Sequence, residues 1–372
     1  MTDIRVRKSC RGMSAIKITP IVQSKLNNLD MSEPPAFGTV YSDHMFVMDY
    51  RDGEWQKPEI KPFEDFSIHP ANLTLHYGQS IFEGMKASKN AEGVPLFFRP
   101  EMHSKRLNAS ARRMCMPEVP QELFMQAINE LVTLDKDWIP TVPDSALYVR
   151  PYMFATEKYI GVRSSKEFKF VVFTCPVGAY YSNSVSLRAE QTYVRATPGG
   201  VGEAKTAGNY AASLYPAMKA VEAGYDQVMW MDPYEFTYIQ EVGTMNIFFV
   251  VGDKIMTPKH NGAILKGITR DSVIKILRAE GRDVVEMDLS IKKILKAYKK
   301  GHVKEVWGTG TAAVISPVHQ IAYREKVMDF DPESYTIGPR LKKIINGLRS
   351  GKHIDQFGWV KPAVSETLVE AV

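Results

Sequence analysis

Apolar positions recur along the chain in two rhythms. Dense runs at 44–50 (HMFVMDY), 96–99 (LFFR), 146–154 and 168–174 are rich in β-branched and aromatic residues and predict buried strands. Helical spacing takes over from about Glu101, where His103, Leu107, Ala111 and Met114 share a face. It returns over 121–134 through Leu123, Ala127, Leu131 and Leu134. A proline-containing stretch at 31–40 leads into this half. After 178–184 (GAYYSNS), a connecting segment by composition, strands are predicted at 187–195, 226–231, 236–241, 244–251 and 304–307. Helices are predicted at roughly 208–223, 269–280 and 338–350. Each is followed by a glycine (Gly224, Gly281, Gly351) suited to a left-handed C-terminal cap.

Strands and helices do not alternate regularly, which disfavours a doubly wound parallel sheet and predicts an α+β architecture. A chain of 372 residues is long for one core. The expected division is a small N-terminal α/β domain over 1–178, a connection over 179–186 and a large C-terminal domain over 187–372. A site between two such domains is the usual arrangement.

Composition narrows the function classes. The chain is 44% hydrophobic and 24% charged, with a net charge of +5 in which cations and acids are mixed. No basic stripe is interleaved with aromatics, so nucleic acid is not an expected partner. The most apolar runs, 247–251 and 170–173, are too short to span a bilayer. Cys10, Cys115 and Cys175 have no paired spacing, which excludes a disulfide framework or zinc ribbon and favours a reducing compartment. The eight histidines are scattered without a His-Glu-x-x-His, and no metal is expected. Arg5, Arg7, Lys8 and Arg11 precede no apolar stretch, and Asp3 argues against a mitochondrial presequence, so the cytoplasm is expected.

The most unusual segment is Gly199–Tyr210, GGVGEAKTAGNY, four glycines around Lys205. Glycines in that density let backbone approach something closely. A phosphate loop needs Gly directly before the lysine, where Ala204 stands, and a dinucleotide fingerprint from Gly200 fails at Lys205. Taken alone, a lysine beside glycines is ordinarily a solvated loop charge. Glu241, in QEVGTMN, stands at the head of the apolar strand IFFVV, where an acid is usually a rim residue. GTGTAA at 308–313 could aim backbone amides at an anion or simply connect strands. GITR at 267–270 opens a helix, and helix starts bind phosphate readily, although most bind only water.

Together these segments resemble the branched-chain amino-acid aminotransferases, in the class-IV group of pyridoxal-phosphate enzymes. The resemblance is carried in unbroken order by LHYGQSIFEGMKA, LFFRPEMHSKRLNASARRMCMP, LYVRP, CPVGAYY, GGVGEAKTAGNY, EVGTMNIFFV, GAILKGITR and VWGTGTAAVISPV, from about Phe37 to Ile321. It implies the two-domain fold type IV with pyridoxal 5′-phosphate held between the domains. The implied activity is reversible transamination of leucine, isoleucine and valine with 2-oxoglutarate, by a ping-pong mechanism in a homodimer.

The resemblance also implies residue roles. Lys205 matches the lysine that forms an internal aldimine with the cofactor and shuttles a proton. Tyr210 matches the tyrosine bonding the ring oxygen, and Glu241 the carboxylate that keeps the pyridine nitrogen protonated. Arg99, in FFRP, matches the phosphate arginine, whose planar fork suits phosphate oxygens. Gly267, Ile268 and Thr269 form the helix start at the phosphate, with the Thr311 hydroxyl. Thr244 lies on the ring-nitrogen side and Leu265 packs on the ring. The amides of Thr311 and Ala312 would hold the substrate α-carboxylate, and Phe37, Tyr77, Phe82, Tyr148 and Tyr180 would wall the side-chain pocket.

Arg150 is reached differently. It lies two residues after Tyr148 on a predicted strand, hence on the same side, and could meet a γ-carboxylate. The alternative is a structural brace pairing with a carboxylate. One departure stands out: animal relatives carry Cys-x-x-Cys after the GTGTA-type turn, where this chain has Ala313 and Ser316. Redox control by that pair is therefore not expected. Rivals on the same fold, a D-amino-acid aminotransferase or an aminodeoxychorismate lyase, are disfavoured by FEGMKA and GTGTAA. A non-catalytic cofactor carrier would not need Glu241.

Overall fold

The computed structural model describes residues 5–6, 16–178 and 184–365. Its chain forms two compact units, one comprising Met1–Tyr180, Ala204–Ala207 and Gly347–Val372, the other Tyr181–Glu203 and Gly208–Asn346.

The first unit is built on an eleven-stranded sheet in which His44–Arg51, Phe168–Val177 and Ala146–Ala155 are consecutive neighbours. Its pairings are antiparallel except where Lys17–Ile18 lies beside Glu59–Pro62. The helices Pro100–Arg113 and Gln121–Leu134 turn Leu107, Ala111, Phe124, Ala127, Ile128 and Leu131 into one core with Phe46, Phe170 and Val172. Most of the predicted faces hold, but Leu134 is exposed and the buried stripe of the second helix runs through Phe124 and Ile128 instead.

His103, predicted on an apolar face, is buried for a polar reason. Glu83, fully buried, accepts from His103 Nδ1 at 2.7 Å and from Arg106 Nε at 2.6 Å and Nη2 at 2.9 Å. Burial alone would raise the Glu83 pKa. The Arg106 charge and the bonds from Arg106 and His103 outweigh it and hold the carboxyl well below the usual range. This cluster fastens the Pro100–Arg113 helix to the strand segment Ser80–Phe82, which immediately precedes Glu83.

The second unit has a ten-stranded sheet running Val284–Met287, Lys254–Pro258, Asn246–Val251, Val303–Gly310, Val314–Tyr323, Val185–Ala189, Gln227–Met231, Tyr238–Val242 and Leu289–Ser290, with Lys326–Asp329 off this path and paired to Val314–Tyr323. Val185–Ala189 is parallel to both its neighbours, and the remaining pairs are antiparallel apart from Lys254–Pro258 with Val284–Met287. Mostly antiparallel sheets with helices packed against them agree with the predicted α+β class. The helix Ile337–Arg349 begins here on Glu305, a buried acid whose carboxylate accepts from the amides of Thr336, Ile337 and Gly338 at 2.8–2.9 Å. Gly224, Gly281 and Gly351 take φ of 85°, 75° and 68°, the left-handed caps expected.

Three predicted boundaries are corrected. The strand at 187–195 is only Val185–Ala189, because the Glu190 carboxylate accepts from the amides of Gln191, Thr192 and Tyr193 and winds the chain into a turn. The helix at 208–223 is two, Ala207–Ala211 and Leu214–Glu222. Pro216 fits the first turn of the second but would crowd and unbond the carbonyl four residues back in a continuous one. The domain expected over 187–372 is not continuous. Val360–Pro362 pairs with Pro95–Phe98, so the chain end belongs to the first unit, as does the short Ala204–Ala207 stretch holding Lys205. The expected connection at 179–186 falls largely outside the described residues.

Glu83 yields a stability prediction. Glu83→Gln leaves the Arg106 charge buried without its counterion and should cost about 3 kcal/mol in denaturant unfolding. A loss under about 1 kcal/mol, the scale of an exposed pair, would show the cluster to be peripheral. Because the folded carboxyl ionises more readily than the unfolded one, its contribution is present above about pH 5 and erodes as pH falls below.

Candidate active site

The glycine-rich loop is closed at its base by Asn209, whose Nδ2 donates to Val201 O at 2.8 Å. Between them the Lys205 backbone is bonded on both sides. Its amide donates to Ser110 Oγ at 2.9 Å, and its carbonyl accepts from the Phe82 amide at 3.0 Å. Thr206 adds a bridge to Ile81, and its hydroxyl donates to Ser80 O at 2.7 Å. The loop thus behaves locally as an extra strand, which fixes the lysine's base while its side chain stays half-buried.

The Lys205 ammonium lies 4.6 Å from the centre of the Phe82 ring. The Arg150 guanidinium lies 4.8 Å from the same ring and 5.3 Å from that of Tyr148, and its Nη2 donates to the Tyr148 hydroxyl at 3.2 Å. Phe37 meets Tyr148 edge-on at 4.9 Å. Tyr148 reaches this place because Gly84 carries no side chain: a Cβ there would stand 1.8 Å from the phenol oxygen. The structure therefore gathers Lys205, Phe82, Tyr148, Arg150 and Phe37. Tyr77 is half-exposed and donates its hydroxyl to Ile160 O, so no described contact joins it to that cluster. Tyr180 lies outside the described residues.

Arg99 precedes the Pro100–Arg113 helix in a left-handed conformation at φ 53° and is 95% buried. Its guanidinium sits 4.8 Å from the Trp359 ring.

In the second unit Glu241 is held at three points. Asn246 Nδ2 donates to its Oε1 at 3.0 Å, the Leu265 amide donates to the same oxygen at 3.2 Å, and Arg195 Nε lies 2.7 Å from Oε2 as an ion pair. Asn246 also donates to Leu265 O at 3.1 Å. Gly267, the residue before the Ile268–Ala279 helix, must be glycine here, since a Cβ would fall 2.0 Å from Asn246 Oδ1. The fixed acid and the helix start carrying Ile268 and Thr269 are thereby joined through one asparagine. That start has no side-chain cap, and it presents the positive end of the helix.

Thr244 occupies the exposed tip of the hairpin between Val242 and Met245, whose backbones exchange hydrogen bonds at 2.8 and 2.9 Å. Thr309 pairs with Asn246, which sets the following Thr311–Ala313 turn beside the acid's strand system. The glycines of GTGTAA belong to the strand Val303–Gly310 rather than to a loop, and a Cβ at Gly308 would stand 2.8 Å from Met245 Cε. Tyr210 is half-buried on the short helix Ala207–Ala211.

Sequence reasoning missed Arg195, Asn246 and Ser110. Asn246 stood inside a quoted motif without a role. Arg195 carried no local signal, for its importance arises only where the fold brings it to Glu241.

The sequence profile of the family described as Amino-transferase class IV matches residues 80–321. Branched-chain-amino-acid aminotransferase 2 of Bacillus subtilis (strain 168) is 43% identical over 337 residues, covering 89% of this chain and 93% of that protein. Branched-chain-amino-acid transaminase 1 of the same organism is 44% identical over 329 residues, covering 87% and 92%. Among solved structures, the branched-chain amino acid aminotransferase from Escherichia coli superposes with a TM-score of 0.67 at 26% identity, covering 86% of this chain and 99% of that one.

Class IV aminotransferases use pyridoxal 5′-phosphate, and this is the cofactor of the chain. The group asks for a primary amine, a fixed carboxylate and anion-binding groups, and each kind is present: Lys205 and Arg99 in the first unit, Glu241 and the Ile268 helix start in the second. With family profile, near full-length relatives, fold and donor set in agreement, the chain belongs to the class IV aminotransferases, in their branched-chain-amino-acid group.

Proposed function

We propose that the protein interconverts leucine, isoleucine and valine with their 2-oxo acids, using 2-oxoglutarate and glutamate as the second pair in a ping-pong cycle. The observation that carries this reading is the shared Phe82 ring: the Lys205 amine and the Arg150 guanidinium lie over it at 4.6 and 4.8 Å, beside Tyr148. An aromatic wall suits an apolar side chain. A cation set into that wall suits a γ-carboxylate, which an apolar cleft alone would strongly exclude. Arg150 has no carboxylate partner among the described residues, and its Nε is buried without a protein acceptor, which speaks against the structural brace.

When bound, the cofactor supplies the electron sink that makes the substrate Cα–H acidic. Lys205 would hold it covalently and move the proton at Cα. Glu241, immobilised by Arg195, Asn246 and the Leu265 amide, would hold a proton at the pyridine nitrogen. Arg99, the Gly267–Thr269 helix start and the Thr311 hydroxyl would bind the phosphate. Tyr210, Leu265 and Thr244 would hold the ring. The amides of Thr311 and Ala312 orient the α-carboxylate. Phe37, Phe82 and Tyr148 enclose the side chain and exclude water. The homodimer expected from the family resemblance belongs to this reading. So does the cytoplasm, in keeping with the free Cys115 and Cys175.

Glu241→Gln keeps the shape and removes the charge, so cofactor should still bind while single-turnover proton transfer slows by about 10²-fold, a loss of ~2.7 kcal/mol. An unchanged rate would make the acid merely structural. The substrate assignment is tested by stopped-flow measurement of each half-reaction. Arg150→Met should lower kcat/KM for glutamate and 2-oxoglutarate by about 10²-fold and change the leucine half-reaction much less. Equal damage to both would return Arg150 to a structural role.

A further inference from the structure

From Gly347 onward the chain, outside the family profile, belongs to the first unit, and there Trp359 meets Arg99. Three features converge there. Arg99 adopts the left-handed conformation at φ 53°, which disfavours any residue with a Cβ and persists only where neighbours impose it. The Arg99 amide donates to Trp359 O at 2.7 Å. The Arg99 guanidinium then lies 4.8 Å from the centre of the ring of that same residue. One residue therefore holds both the backbone and the charged head of Arg99.

Trp359 is itself rigidly held. It is 9% exposed, stacks on Phe357 at 4.2 Å with an interplanar angle of 13°, and meets Phe98 edge-on at 5.7 Å. The turn before it is tied by Asp355, whose carboxylate accepts from the amides of Phe357 at 3.1 Å and Val360 at 2.7 Å. The strand Val360–Pro362 then pairs with Pro95–Phe98, the strand that leads directly into Arg99. A long flexible side chain has many rotamers to lose on binding an anion, and a ring fixed under the guanidinium removes most of them beforehand. Trp is also the aromatic that attracts a cation most strongly.

We infer that Trp359 is a positioning residue that pre-sets Arg99 for the phosphate of the cofactor. The inference rests on the reading of Arg99 as a phosphate ligand. It makes the C-terminal segment part of the cofactor site although no residue of that segment is assigned contact with the cofactor.

The test is titration of the full-length apoenzyme with pyridoxal 5′-phosphate and, separately, with pyridoxal, which lacks the phosphate. Trp359→Leu should weaken binding of the phosphorylated form about tenfold while leaving pyridoxal unchanged, and Trp359→Phe should weaken it only about threefold. In an Arg99→Ala background, Trp359→Leu should add nothing. Equal weakening of both ligands, or additive losses in the double variant, would overturn the inference and leave Trp359 a packing residue. Arg99→Ala binding the phosphorylated form as tightly as the unmodified protein would overturn the phosphate reading itself, and the inference with it. Should Trp359→Leu fail to fold, Trp359→Phe decides alone: a loss of about threefold confined to the phosphorylated form supports the assignment, and no loss overturns it.

Discussion

The chemistry of the first unit hangs on one backbone hydrogen bond, from the Phe82 amide to the Lys205 carbonyl. It joins a glycine-rich loop, with little intrinsic order, to a strand edge whose every neighbour has a task. Phe82 spreads its ring beneath both cations. Glu83 turns the other way into the core and anchors the helix that carries Ser110, the acceptor for the Lys205 amide. Gly84 leaves the space that Tyr148 fills. Four glycines allow the loop to take this path, and the strand-like pairing then removes the freedom they introduced.

The second unit solves a different problem, that of keeping a carboxylate buried and fixed. An acid at the head of an apolar strand is costly unless paired and bonded. Arg195 supplies the opposite charge, while Asn246 and the Leu265 amide occupy the other oxygen. Because Gly267 packs against Asn246, the same residue sets the position of the helix start. Acid and helix start are therefore placed by shared contacts rather than independently, and a side chain at residue 267 should disturb both.

The sequence was legible where a local rule decided the outcome. Helical periodicity placed Pro100–Arg113 and Gln121–Leu134, and three glycines marked helix ends that the structure bears out. It was illegible where side-chain bonds or distant groups decide. Glu190 ends a strand through bonds that no apolar pattern announces. His103 satisfies a helix pattern while serving a buried ion cluster. Arg195 and Trp359 lie outside every recognisable motif, and each acquires meaning only from the residue it meets, Glu241 in one case and Arg99 in the other. The pairing of Tyr148 with Arg150 fell between: strand alternation placed them together, but the Phe82 ring between Arg150 and Lys205 required the fold.

The account's central claim is that Lys205 holds the cofactor covalently and gives it up to a branched-chain substrate. Borohydride reduction of the holoenzyme followed by peptide mapping reads this directly, with and without prior addition of leucine. The expected result is cofactor fixed on the Lys205 peptide in the untreated protein and absent from it after leucine. Cofactor fixed on another lysine, or retained undiminished on Lys205 after leucine, would contradict the account.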